Sequence, residues 1–125
     1  MKIRHLDHLV LTVADIETTC KFYQSALNFE VIYFGKNRKA LQFGNQKINL
    51  HQVGKEFEPK ALRPTSGSAD LCFIAETPLN EVIAHLQAQN IEIIEGPIER
   101  TGAMGKILSV YLRDPDQNLI EISNY

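Results

Sequence analysis

The chain has no tryptophan, only two cysteines in 125 residues, and a formal net charge of −2. Two thiols cannot form the dense disulfide framework that staples small secreted domains. Cys20 and Cys72 fall in segments expected to be buried and read as free thiols of a reducing cytoplasm, with a disulfide or a reactive cysteine as the alternatives. The small negative charge and a pI of about 6.1 provide no basic field for nucleic acid or anionic lipid. No apolar run approaches the roughly 20 residues of a membrane-spanning helix. The N-terminus, MKIRHLDHL, carries charges within its apolar stretch, so a signal peptide is not expected.

What the sequence does contain is a repeated unit. Residues 4–13, with LDHLVLTV (6–13) at their heart, alternate as a strand, and Asp15 is a candidate N-cap for a helix with Ile16, Cys20, Tyr23 and Leu27 on one face, stopping at Asn28. FEVIYFG, KALQFG and KINLHQV follow as three strands, with KNR (36–38) as a turn. After an irregular connection over 54–67, SADLCFIA (68–75) begins the same order again. Thr77-Pro78 opens a second helix, with Thr77 as its cap. IEIIEG (91–96) is a strand, PIERTGAMG (97–105) a flexible segment, and KILSVYLRD and LIEIS are strands separated by the tight turn DPDQN. The expected fold is α+β: two tandem βαβββ modules, 4–53 and 68–123, within a single domain spanning 1–125. At about fourteen residues, the 54–67 connection is long for a passive loop and suits a cover over a cleft or a contact with a partner chain.

Each module begins and ends with a possible metal ligand: His8 and His51 in the first, Asp70 and Glu121 in the second. His8 is matched with Asp70, and His51 with Glu121. Side chains alternate across a strand, so each candidate shares its face with mainly apolar or small residues. A carboxylate such as Glu121, flanked by Ile120 and Ile122, requires a partner if buried, and a divalent ion bound with histidine would supply one. A lone His, Asp or Glu on a strand is ordinarily a solvated or capping residue; the paired placement in two modules is what favours a shared site. His5 and His85 lack that pairing and are left as ordinary polar residues.

LDHLVLTVADIETTCKFYQSALNFEVI, INLHQ, GSADLCFIAE and VYLRDPDQNLIEIS together resemble the vicinal oxygen chelate superfamily, over essentially 4–123. That group contains glyoxalase I, fosfomycin-resistance thiol transferases, extradiol dioxygenases and bleomycin-binding resistance proteins. The segment DPDQN-LIE is similar to the family's DPDGN-xxE, with Gln117 where glycine is usual. The resemblance is closest to small single-domain glyoxalase-like proteins. It implies strands curving around a cleft, a cytoplasmic homodimer with modules paired within or exchanged between chains, and a small-molecule substrate. It also implies His8 and Glu121 as metal ligands. His51 stands where glyoxalase I usually has Glu, and Asp70 where His is usual.

Imidazole and carboxylate together favour Zn, Ni, Co, Mn or Fe over Ca. Such an ion chelates adjacent substrate oxygens and stabilises an enediolate-like charge, with Glu121 as the base. A metal-dependent lyase or isomerase of the lactoylglutathione lyase type is therefore the leading expectation. Because His51 replaces the second Glu, the two-base version of that chemistry is in question. The alternatives are a metal-free antibiotic-binding resistance protein, against which the absence of Trp and the retained ligand types argue, and a thiol transferase to a small electrophile. Thiol transferases and dioxygenases normally have His at the position of Asp70. Tyr111 lies where thiol transferases place a Tyr near substrate, with a core-facing ring as the alternative. Arg100 and Lys106 are candidate anion binders or solvated charges, and Arg113 is expected to brace the turn beside Asp114.

Overall fold

The computed structural model describes residues 1–125. The chain divides into two compact units, Met1–Gly67 and Ser68–Tyr125, each a βαβββ module with its own four-stranded sheet.

The first unit runs β1 (His8–Val13), α1 (Ile16–Leu27), β2 (Glu30–Phe34), β3 (Arg38–Phe43) and β4 (Gln46–Gln52), in sheet order β1-β4-β3-β2. Asp15 caps α1 as expected, its side chain accepting from the Thr18 amide at 2.8 Å, which satisfies one of the free N–H groups at the helix start. Asn28 ends the helix in the left-handed conformation at φ 56°, where a short polar side chain is tolerated. α1 covers one sheet face: Tyr23, Leu41, Ile48, Leu50 and Val13 are fully buried, and Phe29 stacks on Tyr23 and Phe43. An ion pair between Lys39 and Glu17 ties the same face to the helix. The strand expected from residue 4 begins only at His8, because its sole partner, β4, begins at Gln46 and the preceding residues have no ladder to join. Segment 54–67 is irregular, as its composition predicts.

The second unit runs β5 (Asp70–Ile74), α2 (Leu79–Ala88), β6 (Glu95–Gly102), β7 (Gly105–Arg113) and β8 (Leu119–Asn124), in sheet order β5-β8-β7-β6. Val110, Leu112, Ile120 and Ile122 form its apolar face, and α2, with Leu79 and Leu86 buried, packs on β7 and β8. Four expectations are corrected. The cap position of α2 is Pro78, not Thr77, and no side chain caps it. Residues 91–94 are irregular, whereas the supposedly flexible 97–102 lies in β6, paired with β7 up to Gly102 opposite Gly105. Proline and glycine suggested a break there, but the antiparallel partner satisfies the backbone and the irregularity is confined to a register shift between Glu95 and Ile98. Gly96 makes that shift possible: it sits at φ 106°, and a Cβ there would lie 2.4 Å from the Ser109 carbonyl oxygen. Cys20 is buried as expected, but Cys72 is exposed.

The DPDQN turn is held from within. Asp114, almost wholly buried, accepts from the amides of Asp116 and Asn118 and from the Asn118 side chain, at 2.9, 3.0 and 2.8 Å. Asn118 in turn accepts from the Ala69 amide at 2.8 Å, fixing the start of β5 against β8. Arg113 donates to the Gln117 carbonyl at 3.3 Å, the bracing role expected of it.

Candidate functional site

Each unit has a sheet face turned away from its helix, and the alternation of the strands decides which side chains it carries. In the first unit that face bears His8, Val10 and Thr12 of β1, Lys47, Asn49 and His51 of β4, Arg38, Ala40 and Gln42 of β3, and Phe34 of β2. In the second it bears Asp70 and Cys72 of β5, Glu121 and Ser123 of β8, and Ser109 and Tyr111 of β7.

The registers revise the matching of the two modules. His8 pairs with Lys47 across β1–β4, and Asp70 pairs with Leu119 across β5–β8. Two residues further along, on the same face, stand Asn49 in the first unit and Glu121 in the second. The residue matching Glu121 is therefore Asn49, and His51 matches Ser123. His51 pairs with Thr12, four positions beyond His8, which separates the two histidines by about 13 Å along the strands. Within the first unit they stand at opposite ends of the face.

His8 is 45% exposed and its Nδ1 lies 2.7 Å from the Asp7 carboxylate. That hydrogen bond holds the Asp7 carboxyl below the usual carboxylate range and leaves Nε2 of His8 as the outward nitrogen. His51 is buried, and its Nε2 is 3.3 Å from an Arg38 guanidinium nitrogen. A guanidinium only donates, so His51 is the acceptor and is neutral. Burial and the adjacent Arg38 both push its pKa down. The Phe57 ring lies edge-on to His51 at 5.6 Å.

In the second unit, Glu121 is half-buried and is the cross-strand partner of Tyr111. The Tyr111 hydroxyl accepts from Arg100 Nε at 3.0 Å and is hydrogen-bonded to Glu121; burial raises its pKa, with the Glu121 contact adding to the rise and Arg100 opposing it. Arg100 also pairs with Glu95 at 3.2 Å. The guanidinium read as an anion binder is thus committed to Tyr111 and Glu95. Lys106, by alternation, falls on the face opposite Tyr111 and Glu121 and does not join them. Beyond Glu121, Ser123 donates to its carboxylate at 3.4 Å and meets Ser109 at 2.7 Å. Cys72 approaches Ser123 at 3.4 Å, and burial raises its thiol pKa. Asp70 is exposed, on the strand beside Glu121 and diagonal to it, about 7–8 Å away between Cα atoms.

The structure therefore brings together Glu121, Tyr111 and Arg100, with Asp70 on the neighbouring strand. It separates His8 from His51 and removes Lys106. The sequence reading missed Arg38, Lys47 and Asn49. Arg38 was read as part of a turn, and only its place in β3, on the face of His51, reveals its role.

The chain is 62% identical over its full length to virulence protein STM3117 of Salmonella typhimurium, covering 87% of that protein. The crystal structure of STM3117 superposes with a TM-score of 0.99, covering 100% of this chain and 99% of that one. A glyoxalase domain-containing protein, RDO1 of Mycosarcoma maydis, is 56% identical over 125 residues, 100% of this chain and 70% of its own length. The metallothiol transferase FosB of Staphylococcus epidermidis is more distant, at 25% identity over 98% of this chain and 82% of that protein. A lactoylglutathione lyase from Agrobacterium tumefaciens, at 18% identity and a TM-score of 0.75 over 98% and 95% of the two chains, shares the fold. The model of the Glyoxalase/Bleomycin resistance protein/Dioxygenase superfamily matches residues 5–122, and the chain belongs to that family.

Proposed function

We propose that the chain is a divalent-metal-dependent enzyme of the glyoxalase type, acting on a small substrate with adjacent oxygens or on its thiol adduct. The observation that carries this reading is the 2.7 Å contact between His8 Nδ1 and the Asp7 carboxylate. Metal-binding histidines almost always give their other ring nitrogen to such a partner, which fixes the tautomer and makes the free nitrogen a better donor. Glu121 supports the reading from the second unit, since its half-buried carboxylate forms no ion pair with a cation. Asp70 stands on the same face as a second carboxylate. The proposed donors are His8, Glu121 and Asp70. His51 is left out, because its Nε2 lone pair already accepts from Arg38.

Imidazole with carboxylates suits Zn, Ni, Co, Mn or Fe. When bound, such an ion supplies Lewis acidity toward substrate oxygens. Glu121 takes a proton from substrate carbon and returns it. Tyr111 holds the Glu121 carboxylate in place, and Arg100 holds Tyr111. With Asn49 in place of a carboxylate at the position matching Glu121, a single base serves both proton transfers.

Elemental analysis of untagged protein, with titration by Ni, Mn, Zn and Fe(II), tests the donor set. About one ion per chain is expected, lost in Glu121→Gln and His8→Ala. The loaded protein is then assayed with the hemithioacetal of methylglyoxal and glutathione, and separately with fosfomycin plus a thiol. Turnover of the first supports isomerisation, and turnover of the second instead points to thiol transfer, the activity in FosB's name. Failure to bind any of the four ions sinks the metal reading.

A further inference from the structure

We propose that the helix-free face of the first unit carries a binding site for an anionic oxyacid group of the substrate, a carboxylate or a phosphate, built by Arg38 and Lys47 around the Phe34 ring. This names a substrate class for the function proposed above and rests on that reading for its catalytic meaning, but the binding itself requires no metal.

Two cations converge on one ring. The Arg38 guanidinium carbon is 4.8 Å from the Phe34 centroid and the Lys47 ammonium 3.9 Å from it. Phe34 pairs directly with Arg38, and Lys47, whose row is that of Gln42 and Glu30, reaches the same ring from four positions away. Phe57, from the irregular 54–67 segment, covers the guanidinium from another side at 4.8 Å. Rings order the two cations and leave their charge uncancelled.

No carboxylate pairs with either cation; the ion pairs of the chain are Asp7–His8, Glu17–Lys39, Glu58–Lys60 and Glu95–Arg100. Of the nearby acids, Asp7 is hydrogen-bonded to His8 and acts on Lys47 only through space, Glu56 accepts the Gly54 amide, and Glu30 lies two strands from Lys47 in its row. The one polar partner of Arg38 is the neutral His51 ring. Its Nε is buried with no acceptor. Two cations on one ring, with a buried guanidinium N–H that lacks an acceptor, are costly in the free protein. An anion relieves both costs, pairing with the guanidinium edge in the bidentate manner suited to oxyacids and with the Lys47 ammonium as a point charge.

The test is calorimetric titration of the full chain, stripped of metal and freed of chelator, with succinate and with inorganic phosphate at low ionic strength. Saturable binding is expected for at least one, weakened tenfold or more in Arg38→Gln and in Lys47→Gln. Lys39→Gln removes the same charge from the opposite face and should leave affinity unchanged. Succinate alone identifies a carboxylate site and phosphate alone a phosphate site. No saturable binding by wild-type protein, or equal weakening by Lys39→Gln, overturns the proposal. Circular dichroism confirms that each variant is folded, and because no metal is present, failure of the metal reading leaves this result intact.

Discussion

The 3.3 Å contact between Arg38 and His51 makes the histidine an acceptor and holds it neutral. His51 thus serves the first unit as the polar seat of a guanidinium.

A pH dependence follows. Burial and Arg38 lower the folded pKa of His51 below the ordinary 6.5. Between the two values the unfolded chain binds more protons, so stability rises with pH there. The contribution is fully present above pH 6.5 and is lost as pH falls through the folded value. Urea denaturation at pH 5 and 7.5 should show a larger acid loss for wild type than for His51→Gln, whose amide oxygen still accepts from Arg38. Identical losses would contradict this role.

Tyr111 joins Arg100 to Glu121. Tyr111→Phe should leave metal stoichiometry unchanged while lowering turnover by about 10²-fold, the low end of what a positioned proton-transfer group contributes. Steady-state kinetics on whichever of the two assayed substrates is turned over, with elemental analysis in parallel, separates this from loss of the ion. Unchanged turnover would mean that Glu121 needs no support from the phenol.

Asp114 is the structural anchor of the second unit's last turn. Asp114→Ala strips the acceptor from two amides and the Asn118 side chain. Leaving these donors unsatisfied in a buried site should cost about 3 kcal/mol, read from the urea midpoint at constant slope. A loss below 1 kcal/mol would show that water replaces the carboxylate at little cost.

Gln117 occupies the left-handed region at φ 69°, where this family's turn usually has glycine. Gln117→Gly removes that steric cost, partly offset by the greater freedom of glycine when unfolded, and should stabilise the chain by about 0.5–1 kcal/mol. Thermal denaturation checks it; a lowered midpoint would mean that the Gln117 side chain makes a compensating contact.

The sequence by itself determined the duplicated βαβββ order, because strand alternation, the Asp15 cap and the Asn28 stop are local signals that tertiary context left in place. It also disclosed the residue types of the metal site proposed above and the DPDQN turn, whose Asp and Asn act over four residues. Local signals failed where long-range pairing overrode them: 97–102, rich in turn formers, became strand because β7 lay ready to bond it. Register is likewise a property of two distant strands, and a shift of two residues preserves alternation while changing every partner. Only the tertiary structure could therefore match Glu121 with Asn49 in place of His51, and bring Arg38, Lys47 and Phe57 to one ring cluster from two strands and an irregular segment.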